Sequence, residues 1–171
     1  MADINRRLVY IDGTTIVLFV HAKSDPPRFS ITNQDGDLAW YGRLFANEAD
    51  EMSTAELTSG KKAVWLAKQV AEKNTLKNIN LKLFVGAKWL CYANDFLYNP
   101  KMGGKATALS KLALKNGVNL EVIHVGGSKN PADKYISKIG YFGWKEGLGS
   151  IKLFHGETAK KEIMRYKILF S

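Results

Sequence analysis

The chain has 171 residues and a single cysteine, Cys91, so one domain with a sizeable core is expected and an intrachain disulfide is excluded. No apolar run nears the roughly 18 residues of a membrane span, and the start MADINRRLVYIDG lacks a signal peptide's apolar stretch, so a reducing, cytoplasmic setting is the expectation. The formal charge of +9 is uneven: residues 1–60 carry 5 Lys/Arg against 9 Asp/Glu, and residues 61–171 carry 20 against 7, an excess that attracts polyanions.

RRLVYIDGTTIVLFVHA reads as two strands around a turn at Gly13-Thr14-Thr15, because both halves are rich in β-branched and aromatic residues. Asp25-Pro26-Pro27 breaks the chain. RFSITNQDGDLAWYGRLF, from Arg28 to Phe45, reads as a third strand with a bend at Asp35-Gly36-Asp37, completing an antiparallel meander. The next stretch, from Ser53, is helical. Leu57, Gly60, Val64, Ala67 and Ala71 recur at three- and four-residue steps, so this stripe faces the core. INLKLFVGA reads as a buried strand, KWLCYANDFL as a short helix, and KATALSKLALKNG as a helix ended by Gly117. VNLEVIHV is a strand, and ADKYISKIGY is helical after the segment GGSKNP. The tail after Gly140 holds a strand pattern, SIKLF, and a helical one, ETAKKEIMRYKIL.

Three acids fall at element ends. Asp12 follows the apolar run Leu8–Ile11, Glu56 sits in the first turn of the long helix, and Asp133 opens the last core helix. Each has a local explanation. Asp12-Gly13 is a turn signal. Ser53-Thr54-Ala55-Glu56 fits a capping box, and Asp133 suits a helix start. Converging, however, they would meet another need. Two divalent cations about 4 Å apart require carboxylates delivered from several elements to one spot.

The element order, the YIDGT strand end, the STAEL helix start and the HVGGSKNPADKYISK segment resemble the ribonuclease H fold. The similarity is to its retroelement form, as in reverse transcriptases of long-terminal-repeat retrotransposons. Gly127, Asn130, Ala132, Asp133 and Ser137 match the family's last motif without a gap. The resemblance covers about residues 6–140. It implies an α/β, ribonuclease H-like domain over residues 1–140, with a central five-stranded mixed sheet whose first three strands are antiparallel, flanked by helices. Residues 141–171 would be a C-terminal extension. It also implies cleavage of the RNA strand of RNA–DNA hybrids with two Mg²⁺ (or Mn²⁺) ions. Asp12 would bridge both metals, Glu56 would help hold one, and Asp133 the other.

The sequence departs from the family at the end of the fourth strand. A family aspartate followed by serine is replaced there by Gly86-Ala87. Asp95 lies nine residues on, two helical turns away, and is not expected to reach. The family's histidine after the fifth strand is also missing from Gly126–Lys129. His124 lies earlier, on the strand, where a packed or hydrogen-bonded role is expected, and His155 reaches the site only if the tail folds back. Two readings follow: a divergent nuclease, or a catalytically degenerate domain acting as a nucleic-acid-binding or protein-interaction module. Lys61, Lys62, Lys68, Lys88, Lys101, Lys105 and Lys111 could meet phosphates in either case, and Trp65, Trp89, Tyr92 and Trp144 could stack on sugars or bases.

Overall fold

The structure, a computed structural model, describes residues 15–24, 27–34, 39–44, 52–73, 77–98 and 104–136. β1 (Thr15–Lys23), β2 (Arg28–Thr32) and β3 (Ala39–Arg43) form the meander and precede α1 (Met52–Lys73). β4 (Ile79–Val85) leads through a 3₁₀ turn (Lys88–Tyr92) into α2 (Ala93–Tyr98). α3 (Lys105–Lys115), β5 (Val118–His124), a second 3₁₀ turn (Gly127–Lys129) and α4 (Asp133–Ile136) follow. The sheet order is β3-β2-β1-β4-β5. β1–β2 and β2–β3 are antiparallel, and β1–β4 and β4–β5 parallel. The fold is α/β around a five-stranded mixed sheet, as the element order implied.

Two expectations change in detail. The stretch from Arg28 is not one bent strand. It is a pair, β2 and β3, with Phe29 opposite Gly42 and Ile31 opposite Trp40. Among the described residues, the antiparallel meander consists of β1 to β3. The strand expected over Arg6–Ile11, Asp12 itself, and the extension over residues 141–171 lie outside the described residues.

Alternation along β1 explains how the sheet is covered. Ile16, Leu18 and Val20 join the main core, while Val17 and Phe19 face the other way and pack with Ala132, Phe84 and Val125. Phe19 and Phe84, neighbours across the parallel pair, stack with ring centroids 4.5 Å apart. Over the first face lies α1, whose stripe is wider than five residues: Ala55, Ala63 and Leu66 are buried with Val64, Ala67 and Ala71, and Leu57 packs at the margin. Small residues there let the helix approach the sheet closely. Gly60 serves the neighbouring contact, since a Cβ at that position would stand 3.3 Å from the side chain of the fully buried Leu109 on α3. α3 ends as expected, with Gly117 at φ +69. No helix among the described residues is long and apolar enough to cross a membrane.

Candidate functional site

The parallel pairing of β1 with β4 builds the site. Val20 stands opposite Val85 in the last pair of the ladder, which sets His21 beside Gly86 just past it, two residues before β1 ends. A Cβ on Gly86 would lie 3.0 Å from His21 Nδ1, so the glycine leaves room for the imidazole. His21, Glu56, Val85, Gly86, Ala87 and Leu90 line a narrow hollow there, in which the centre of a water-sized sphere has about 10 Å³ to move. That is room for roughly one water. Its position outside the carboxyl ends of parallel strands is where α/β sheets place ligands.

His21 is the residue that sequence reasoning missed. Its side chain is 15% exposed, and its Nε2 lies 3.1 Å from Oδ1 of Asp133. The approach is close but not aligned as a hydrogen bond, so it becomes an ion pair only when the imidazole is protonated. Burial holds the imidazole's pKa below its usual 6.5; Asp133 pulls the other way, and Lys23 and Arg28 add to the depression. A strand histidine carries no spacing signal. Only the register across β1 and β4 shows what it faces.

Glu56 reaches the hollow from α1. That helix begins at Met52, so Ser53 lies inside its first turn, two residues past the N-cap position that the expected capping box requires. Oε1 of Glu56 accepts a hydrogen bond from the Trp89 indole Nε1 at 3.0 Å, which ties α1 to the segment after β4. Trp89, expected as a stacking residue, is engaged in this contact.

The GGSKNPAD segment is organised by Asn130, which is 4% exposed. Its Nδ2 donates to the carbonyl of Val20 at 2.9 Å, and its Oδ1 accepts from the Ala132 N–H at 3.0 Å. Its carbonyl accepts from the Asp133 N–H at 3.0 Å. One buried amide thus pins the loop to β1 and starts the turn that aims Asp133 at His21. Such a residue is costly to replace, because a buried polar group without a partner loses about 1–3 kcal/mol.

Of the three acids expected to converge, Glu56 lines the hollow, Asp133 lies beside His21 but is not among the residues lining it, and Asp12 lies outside the described residues. Among the described residues, no group of three or more His, Cys, Asp or Glu side chains is placed to hold a metal ion. Mg²⁺ and Mn²⁺ favour several oxygen donors at close quarters. The donors described here are the His21 imidazole beside Asp133 and the Glu56 carboxylate, whose Oε1 accepts from Trp89, and among the described residues they make no group of three or more that could hold a metal ion. Asp95 is exposed on α2 and takes no part in the hollow; His124, expected to be packed or hydrogen-bonded, is exposed and so is not packed. Lys101, Trp144 and His155 lie outside the described residues.

The surface residues expected to meet nucleic acid divide into two sets. Lys88, Lys105 and Lys111 are exposed, with Lys105 donating to Ser53 Oγ at 2.9 Å. Lys62 is drawn in over the rings of Phe29 and Trp40, at 5.3 and 5.7 Å, and Lys68 lies 3.8 Å from Glu72. Trp65 and Tyr92 are 44% and 62% exposed. No protein-family model matches the chain, and no curated protein matches it.

Proposed function

We propose that this chain is a ribonuclease H-like domain that holds nucleic acid without cutting it. The observation that carries the reading is the pair His21 and Gly86 where the ladder between β1 and β4 ends. In the resemblance, those two strand ends each supply an aspartate. Here one position carries an imidazole and the other no side chain, while Asp12, three residues before Thr15 in the sequence, lies outside the described residues. The sheet order β3-β2-β1-β4-β5 supports the resemblance, as does the seating of Asn130 and Asp133 against β1. The basic excess after residue 60 supports a polyanionic partner, and an RNA–DNA hybrid is the first to offer.

The competing reading is two-metal hydrolysis with Asp12, Glu56 and Asp133 holding Mg²⁺ or Mn²⁺. One experiment separates the two. A labelled RNA–DNA hybrid is incubated with the protein at low salt with each cation, and complex and RNA length are followed together. The expected outcome is a complex with intact RNA. RNA cleavage that disappears in Asp12→Asn restores the nuclease reading. Intact RNA without any complex removes nucleic acid as the partner and leaves protein interaction.

A further inference from the structure

Trp65 is 44% exposed in the middle of α1, and its neighbours hold it in place. Its ring packs on that of Trp40, a β3 residue only 5% exposed, with centroids 5.5 Å apart and a tilt of 52°. Trp40 in turn meets the fully buried Phe29 of β2 edge to face, with centroids 5.3 Å apart. The three rings run from the core to the surface, and each braces the next. An aromatic plane that is ordered before anything binds loses little conformational freedom on binding.

Positive charge lies beside this ring. Residues three and four apart are neighbours on a helix surface, so Lys61 and Lys62 flank Trp65 on one turn, and Lys68 and Gln69 on the next. Lys62 sits over the rings of Phe29 and Trp40 at 5.3 and 5.7 Å, which sets its ammonium beside the stack. From Thr58 to Glu72 the only acid is Glu72 itself, 3.8 Å from Lys68, and a solvent-exposed pair of this kind holds its lysine loosely. An exposed tryptophan taken singly needs no explanation. One braced from beneath, with three lysines a turn away, is a different surface: an apolar plane beside several cations.

That combination matches a base with its phosphates. Aromatic side chains stack on the faces of unpaired bases while lysines follow the backbone, and every base has such a face. Inside a duplex those faces are closed by the neighbouring pairs. We propose that Trp65, with Lys61, Lys62 and Lys68, is a platform for single-stranded nucleic acid. Trp65 stands nine residues beyond Glu56, roughly 13 Å along the helix, so the platform is separate from the hollow and does not rest on what the hollow holds.

The test titrates short labelled oligothymidylate DNA and oligouridylate RNA at low salt, followed by fluorescence anisotropy. Both strands offer base faces and phosphates, and the tighter binder identifies the natural strand. Trp65→Leu, which keeps an apolar side chain against Trp40 but has no ring, should weaken both complexes roughly tenfold or more, and Trp65→Phe should recover most of that loss. Lys61→Ala should flatten the slope of log affinity against log salt by about 0.7 for each phosphate contact it removes. If Trp65→Leu does not fold, Trp65→Met, longer and still without a ring, takes its place. Wild-type affinity in the ringless variant overturns the platform, and equal losses in Trp65→Leu and Trp65→Phe overturn stacking as its source. No complex with either strand also overturns it and leaves the lysine-flanked ring to a protein partner. An RNA–DNA hybrid titrated in parallel keeps the two readings apart: hybrid binding without single-strand binding sinks the platform alone, and Trp65-dependent single-strand binding without hybrid binding upholds it.

Discussion

His21 gathers several of the forces acting in the hollow. Buried near the end of β1 and facing Asp133 on α4, with Lys23 and Arg28 nearby and Glu56 across the hollow, it is held neutral in the fold chiefly by burial. Its folded pKa is lower than its unfolded one, so the unfolded chain binds the proton first as pH falls. The stability this histidine contributes is complete above about pH 6.5 and is lost as pH falls through the folded pKa. Urea unfolding at pH 7.5 and pH 5.5 should show lower stability at the acid value, and His21→Gln should shrink that difference. Gly86→Asp tests the same spot from the other strand. Gly86 is not among the described glycines with positive φ, so its backbone admits a side chain, and the obstacle is the imidazole 3.0 Å away. The variant should fold with a loss of about 1–3 kcal/mol from overpacking and leave a hybrid uncut with Mg²⁺ or Mn²⁺. Its carboxylate should also raise the His21 pKa, which histidine NMR shifts against pH would register. Metal-dependent cleavage by this variant would return the site to the nuclease reading.

At the level of elements, α1 and α3 meet where Gly60 faces Leu109. A mid-helix glycine costs about 0.5–1 kcal/mol against alanine, and the closeness of the two helices offsets it. Gly60→Val should push methyl groups into the fully buried Leu109 and lower stability by about 1–3 kcal/mol, read from the shift in thermal midpoint. Elements with a strong period were legible in the sequence. The three- and four-residue steps located α1, and the run KATALSKLALKNG with its closing glycine located α3. The first strands were less so. Arg28 to Phe45 has strand-like residues on both sides of Asp35-Gly36-Asp37, and composition alone does not distinguish a bend from a hairpin. The candidate site was half legible for a related reason. Asn130 and Asp133 belong to a local motif, whereas the meeting of His21 with Gly86 depends on a parallel register between strands far apart in sequence.

For the whole molecule, the charge division sets the expected behaviour toward nucleic acid. If the basic part after residue 60 makes the contacts, each phosphate neutralised should contribute a slope of about −0.7 to −0.9 in log affinity against log salt. Titrating a hybrid at several salt concentrations should therefore give a steep decline; binding indifferent to salt would rule out phosphate contacts as its source. The central place of β1 in the sheet has a consequence of another kind. Its antiparallel partner β2 follows it at once, but its parallel partner β4 comes only after β2, β3 and α1. During synthesis from the N-terminal end, the hairpins can form while the backbone edge of β1 that pairs with β4 still waits for its neighbour and the apolar face carrying Ile16, Leu18 and Val20 is only partly covered. Loop closure across so much chain is slow relative to hairpin formation. The interval before β4 emerges from the ribosome is thus when this protein is most open to mispairing, and a chaperone that covers apolar strands would act on β1 in that interval.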